Sequence, residues 1–545
     1  MKNLVTAEAV VAYSQCPRKA FLLLAREDSA EPHEYVRIVE EQARMNRAKY
    51  LNTLKHTNPG VNSFADNLES NGDFLVEVTL RAQDLEASCD VLTKVPSRSS
   101  LGSHSYEPTL VVGTHEVTKE QKLGLLFNGY VLGQVQNKPP VSGTIVGMEG
   151  QAHKVRLERH CTKLRPIVDT LRGWTATPSP EPPPVILNRH CPSCPFRDEC
   201  KAQAERDDDL SLLDRMTPKL IRRYHKKGIF TVHQLSYVFK PRRSKKRARK
   251  ATATFNPELQ ALAIRTGRVY LQKLPEPARH PVELFLDIEG IPDRDFYYLI
   301  GLLVCEGENN SYYSFWADTI QDEEKIWTQL LKKANDYPEV PIYHYGSFDL
   351  RAVEKLGRRY ATVGKDMLKQ RLVNVNSYIF GKVYFPVRSN SLKEIGKFIG
   401  ATWTSPESSG LQSLVWRYYW EQKRDDHYRQ LLLVYNQEDC TALKLMVDEL
   451  SEIGNSANTL SDIDFIYRPK RHTTKPGEQI HNQFETILKF AHANYDKRKI
   501  SFRKDEEESA IVKEERKSGF KKGYHGQRKI RPKATKVVQV ALARV

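Results

Sequence analysis

The stretch Pro281-Val-Glu-Leu-Phe-Leu-Asp-Ile-Glu-Gly290 decides how this chain reads. Its run from Val282 to Ile288 is apolar enough for a buried strand, and two acids, Asp287 and Glu289, stand at its far end. Carboxylates at the edge of a core are costly to place unless something positive meets them. Two further segments extend the pattern. Val340 to Tyr345 reads as a second strand and leads into Asp349, and in LLLVYNQEDC Tyr435 and Asp439 are four residues apart on one helix face. Four carboxylates suit hard divalent cations, and Mg²⁺ or Mn²⁺ ions about 3.5–4 Å apart clamp the attacking and leaving oxygens of a phosphodiester. Tyr435 adds a phenol able to orient the attacking water.

In this order and on these elements the five residues resemble the DEDD exonucleases of the RNase H-like superfamily, in the variant whose last motif is Tyr-x-x-x-Asp. The likeness covers about Pro281 to Leu450. It includes an apolar second strand, YYLIGLLVC (Tyr297 to Cys305), and the segment Ser391-Leu-Lys-Glu-Ile ahead of the last motif. The resemblance implies an RNase H-like mixed sheet, with Asp287, Glu289, Asp349 and Asp439 holding two Mg²⁺ or Mn²⁺ ions and Tyr435 orienting water. It also implies 3′–5′ polarity, and a recessed acidic site that must admit a terminal nucleotide favours single strands. Tyr345, Phe348 and Tyr384 are aromatics for packing or for stacking on bases.

Four of the eight cysteines form a second constellation: Cys16, then Cys191, Cys194 and Cys200 in HCPSCPFRDEC. One distant cysteine followed by C-x2-C-x5-C resembles the iron–sulfur staple of RecB-like nucleases, as in AddB-type helicase–nucleases and CRISPR-associated exonucleases. Four soft thiolates suit a [4Fe–4S] cluster, with zinc as the competitor. Either would be structural, joining the two ends of a domain. A PD-(D/E)xK nuclease core is expected between the cysteines. Asp90 and Glu107 are the candidates for a second nuclease site, but Glu107-Pro-Thr109 replaces the family's Glu-x-Lys and Leu126 stands where a glutamine is usual before Tyr130.

The chain has 545 residues, too many for one core, and a formal charge of +17 favours a polyanionic partner. No apolar stretch reaches membrane-spanning length. Thr175 to Pro184 is a stiff, proline-rich connection, and about Asp208 to Val238 resembles a helix–hairpin–helix element around Lys227 and Gly228, with Thr231 capping its second helix. From Lys240 to Lys250, eight of eleven residues are basic: Lys240, Arg242, Arg243, Lys245, Lys246, Arg247, Arg249 and Lys250. Such a block binds phosphates in a salt-dependent way. From Arg468 onward there are 21 Lys and Arg against 9 Asp and Glu, and a helix is expected from about Glu478 to Tyr495.

The expected fold class is α/β and multidomain. Residues 1–204 form a RecB/PD-(D/E)xK-like domain with the four-cysteine staple. Residues 205–250 form a small helical hairpin and basic linker, 275–455 the RNase H-like domain, and 456–545 a basic tail, partly helical or disordered, that is open to truncation. The expected function is a two-metal 3′–5′ exonuclease on single-stranded DNA, or RNA, in the cytoplasm of a prokaryote, with a helicase or transposase-like partner. Two alternatives stand beside it: a nuclease acting through the N-terminal site, and a non-catalytic nucleic-acid-binding subunit of a DNA repair or mobile-element complex.

Overall fold

The computed structural model describes residues 4–26, 31–58, 72–157, 161–239, 254–360, 365–457, 459–460 and 462–466, with residue 68 and positions 479–480, 482–484 and 486–487. The chain divides into two compact units. One holds Met1–Asp207, Pro275–Ile379 and Ser389–Asn455, and the other holds Asp208–Leu274, Phe380–Arg388 and Ser456–Val545. Residues 1–204 and 275–455, expected as separate domains, therefore share a unit. The short segment Phe380–Arg388 leaves it, which nothing in the local sequence announces.

The first unit opens with helix Ala7–Gln15, capped by the Thr6 hydroxyl accepting from the Ala9 N–H. Cys16 takes an extended backbone that stops this helix, and Pro17 starts the next, Pro17–Ala25, so the cysteine sits at a corner. Helix Glu34–Thr57 follows. Strands β1 (Val5–Thr6), β2 (Phe74–Ala82), β3 (Leu85–Val95), β4 (Ser105–Val111), β5 (Ser142–Val146) and β6 (Ala152–Arg156) build a mixed sheet. Strands β2, β3 and β4 are antiparallel, β5 joins β4 in parallel, and β6 closes the edge. A parallel pair needs a crossover, and helix Lys119–Val135 supplies it. A Thr118–Gln121 capping box starts that helix, and Leu125, Phe127, Val131 and Leu132 hold it on the sheet. From Glu34 the element order is thus α-β-β-β-α-β.

Strand β7 (Val269–Leu271) belongs to the second unit. Strands β8 (Val282–Ile291), β9 (Phe296–Glu306) and β10 (Asn309–Trp316) return to the first as an antiparallel meander. Strand β11 (Ile342–His344) adds in parallel to β8, and β12 (Leu372–Asn374) to β11, giving the order β10-β9-β8-β11-β12. Strand β9 is buried from Phe296 to Cys305, which is why its sequence shows no polar alternation. Helix Glu323–Asn335 covers the sheet with Ile326, Trp327, Leu330 and Ala334. The long helix Asp426–Ser456 buries Leu432, Tyr435, Asn436, Asp439 and Cys440.

In the second unit, helices Pro218–His225 and Val232–Ser236 flank a turn in which Gly228 has φ +75°, and Thr231 caps the latter helix as its sequence suggests. Helix Pro257–Thr266 then packs Leu259 and Ala263 with Tyr270, Tyr384 and Ile466. Strands β13 (Val383–Tyr384) and β14 (Ile463–Phe465) flank β7. Positions 479–480, 482–484 and 486–487 are helical, and Ile480 and Phe484 are exposed. The rest of the expected helix from Glu478 to Tyr495 lies outside the described residues.

Trp327 is fully buried against the central strands. Trp327→Ala should lower unfolding free energy by about 3–5 kcal/mol in urea titration, the range for truncating a large buried side chain. A loss under about 1 kcal/mol would place this helix outside the core.

Candidate active site

Strand β8 carries Asp287 and Glu289, and the β8–β9 register shifts between Glu289 and Gly290. A Cβ at Gly290 would come within 2.9 Å of the Phe296 carbonyl oxygen, so this close backbone approach favours glycine. The long helix brings Asp439 over the same strand end. Asp287, Glu289 and Asp439 each present an oxygen within 4.8 Å of the others. Among the described residues this is the group of carboxylates, imidazoles and thiols close enough to hold one ion.

Asp349 lies in the first turn of helix Phe348–Arg359 and is buried beside them. Its Oδ1 accepts from the Ile288 N–H at 3.1 Å, between the two β8 acids, and its Oδ2 lies 3.6 Å from His344 Nδ1. Tyr435 is buried one turn before Asp439 on the same long helix, as the i, i+4 spacing requires. Of the five residues assigned from sequence, Asp287, Glu289 and Asp439 thus share one ion-sized group, with Asp349 and Tyr435 on neighbouring turns of backbone.

A regularity emerges in how the acids are held. Each carboxylate accepts, through one oxygen, from a neutral donor. Asn436 Nδ2 donates to Asp287 Oδ2 at 2.6 Å, Ser413 Oγ to Glu289 Oε2 at 3.0 Å, and Trp403 Nε1 to Asp439 Oδ1 at 2.7 Å. The backbone N–H of Ile288 does the same for Asp349. One oxygen of each acid is thereby oriented. Lys393 is the cation whose field reaches Asp287, Glu289 and Asp439, with Nζ 4.3 Å above the Tyr435 ring.

Burial dominates the electrostatics. It raises Asp287 well above the usual carboxylate range, with Asp439 and then Glu289 adding like-charge repulsion. Glu289 rises to about 8, by burial first and Asp439 second. Asp439 rises to about 6 by burial, opposed chiefly by Lys393. Burial lowers Lys393 in turn. Two buried acids and the half-buried Asp287, with one depressed lysine, make a site short of positive charge, and the donor set is all oxygen, as a hard divalent cation requires.

The sequence reading named none of Asn436, Ser413, Trp403 and Lys393 as site residues. Lys393 lies in the Ser391-Leu-Lys segment already noted, and Asn436 is Tyr435's neighbour. The available signal for Asn436 was Gly301, a lone glycine inside an apolar strand, which marks a close approach. Phe348 is partly exposed beside Asp349, Tyr345 donates to the Asn390 carbonyl oxygen at 2.6 Å, and Tyr384 is core in the second unit.

The second acidic pair does not assemble. Val91 pairs with Thr109 and Thr93 with Glu107, so strand alternation puts Asp90 and Glu107 on opposite faces of the sheet. Their partners differ as well. Asp90 meets Arg47 at 2.7 Å and the Val111 N–H at 2.6 Å, whereas Glu107 accepts from the backbone and hydroxyl of Ser142. Both acids sit on strands, but which way each faces depends on a register that spacing along the chain does not encode.

The cysteines do converge: Cys16, Cys191, Cys194 and Cys200 line one pocket with Arg18, Lys19 and Asn188. The Asn188 N–H points at Cys191 Sγ at 3.2 Å. Lys227 is exposed in the turn with Gly228. Arg242, Arg243, Lys245, Lys246, Arg247, Arg249 and Lys250 lie outside the described residues. No helix among the described residues is long and apolar enough to cross a membrane.

Because Asp287, Glu289 and Asp439 titrate above the roughly pH 4 of an unfolded chain, the folded site keeps protons that the unfolded chain releases. The contribution of these three acids to stability is then largest in acid and falls as pH rises toward the Glu289 value of about 8. A bound cation replaces those protons. Chelator-treated protein should lose melting temperature between about pH 5 and pH 8, and added Mn²⁺ should restore more of it at the higher pH. The slope should flatten in Glu289→Gln; an unchanged slope there would refute the assignment.

Residues 284–451 match the RNase H superfamily model RNase_H_2, so this part of the chain is an RNase H-like domain. No curated protein matches the chain.

Proposed function

We propose that the protein is a metal-dependent nuclease that releases nucleotides from the 3′ end of single strands, DNA before RNA. The observation that carries the reading is the meeting of Asp287, Glu289 and Asp439 within 4.8 Å in an RNase H-like domain, with Tyr435 one helical turn from Asp439. Divalent cations there, Mg²⁺ or Mn²⁺, would supply Lewis-acid stabilisation of charge on the reacting oxygens. Asp287, Glu289 and Asp439 would hold them, with Asp349 beside these acids. Tyr435, whose phenol is kept protonated by burial and by the neighbouring acids, directs a water toward phosphorus. The water oxygen forms the new P–O bond, the bond to the 3′ oxygen of the preceding nucleotide breaks, and that oxygen takes a proton. The product is a nucleoside 5′-monophosphate.

The sheet of the N-terminal half follows the α-β-β-β-α-β order of a PD-(D/E)xK-like core, which supports kinship without an assembled acid pair. In this reading that half is a scaffold stapled by a metal group on the four cysteines. Four soft thiolates lining one pocket would suit a [4Fe–4S] cluster, with zinc as the competitor. The exposed Lys219, Arg222, Arg223, Lys226 and Lys227 of the helical hairpin, with the basic stretch that follows it in sequence, supply sequence-independent phosphate contacts.

Purified protein with Mn²⁺ should release 5′-monophosphates from 5′-labelled single strands, and Asp287→Ala with Glu289→Ala should abolish it. Release that persists in the double variant would end the proposal. Tyr435→Phe should lower kcat by about 10–10³-fold with little change in KM, as expected for a group acting on the attacking water. Anaerobically purified protein should show absorbance near roughly 400 nm, the region of iron–sulfur charge transfer, that is lost in Cys194→Ser. A colourless wild type holding stoichiometric zinc would overturn the cluster.

A further inference from the structure

The geometry points to Asn436 as a positioning residue for Asp287, locked by Tyr312 and given room by Gly301. The inference rests on the nuclease reading above and goes beyond it, because it assigns a coordination-setting role to a group that touches neither ion nor substrate. Asn436 is fully buried, and both ends of its amide are used. Nδ2 donates to Asp287 Oδ2 at 2.6 Å and to the Asp287 carbonyl oxygen at 3.1 Å. Oδ1 accepts from the Tyr312 hydroxyl at 2.7 Å. A reversed amide would set a carbonyl oxygen against a buried carboxylate, so Asp287 itself dictates the orientation.

Gly301 shows that the backbone is arranged around this amide. It is the cross-strand partner of Asp287. A Cβ there would lie 1.7 Å from Asn436 Oδ1, closer than atoms can approach, and in tight contact at 3.0 Å with the Tyr312 hydroxyl. Glycine in a strand interior weakens the strand, and here the missing side chain is the space the amide fills. Asp287, Asn436, Tyr312 and Gly301 therefore form one unit drawn from β8, the long helix, β10 and β9.

The chemical consequence concerns charge. A lysine or arginine holding Asp287 would orient it too, but would also neutralise it and compete with a cation. A neutral amide orients one oxygen and leaves the full negative charge of the group for the metal. Removing the amide frees Asp287 to rotate and exposes Oδ2 as an unsatisfied acceptor in a buried site. Cation affinity should suffer before the saturated rate does.

The test uses the full chain, with Mn²⁺ as the probe, read by Mn²⁺ electron paramagnetic resonance and by the Mn²⁺ dependence of nucleotide release. Asn436→Leu keeps the volume and removes the donor. It should raise the Mn²⁺ concentration for half-maximal release by about tenfold or more, the range for lost outer-shell partners, and lower the saturated rate far less. Tyr312→Phe should shift the same quantity in the same direction by a smaller factor. A wild-type Mn²⁺ requirement in Asn436→Leu, where Asp287→Ala has lost release, would overturn this inference and leave the nuclease reading standing. Retained release in Asp287→Ala would overturn both. Should Asn436→Leu fail to fold, Tyr312→Phe decides alone, and an unchanged requirement there overturns the relay.

Discussion

Repulsion among closely set, desolvated carboxylates is the constraint on which this structure turns. Asp287, Glu289 and Asp439 lie within 4.8 Å of one another, with burial raising all three above their ordinary values. No fold collects such groups cheaply, since each desolvated charge resists the next. The surrounding architecture manages the cost without cancelling it. Rigid strands fix Asp287 and Glu289, a helix of 31 residues brings in Asp439, and neutral donors hold one oxygen of each acid. What remains is a pocket with an unmet demand for positive charge.

That demand explains features which otherwise look like isolated oddities. The glycines at 290 and 301 weaken two central strands, yet each sits where another group comes too close for a Cβ. Trp403 reaches the site from the loop after helix Leu392–Phe398, and its indole N–H ends on Asp439. Arg417, fully buried, spends its guanidinium on the Ala317 and Asp318 carbonyl oxygens and on Glu421, among aromatic rings. That strong cation is thus committed elsewhere, and the acids keep their charge.

Much of this could be seen in the sequence because it follows from local periodicity. Asp287 and Glu289 end an unbroken apolar strand, and the four-residue step from Tyr435 to Asp439 survives intact on the helix. The cysteine spacing likewise brought four thiols to one pocket. The failures have a common cause, which is dependence on a partner strand or distant segment. Asp90 and Glu107 each sit on a strand, but a register that no local pattern encodes turns them to opposite faces. Asn436 carries no motif of its own and becomes meaningful only when Tyr312 and Gly301 arrive beside it.

The second unit has a different kind of consequence. Its small sheet takes its central strand from Val269–Leu271, one neighbour from Val383–Tyr384 and the other from Ile463–Phe465. During synthesis the ribosome must deliver nearly two hundred further residues, among them most of the acidic domain, before the first of these strands meets its last partner. Closing loops of that length is entropically slow, so the nascent chain should finish the acid-bearing sheet first and stitch the smaller one afterwards. A gene fragment cut just after the long helix would carry every acid of the pocket and still leave an open sheet edge behind it.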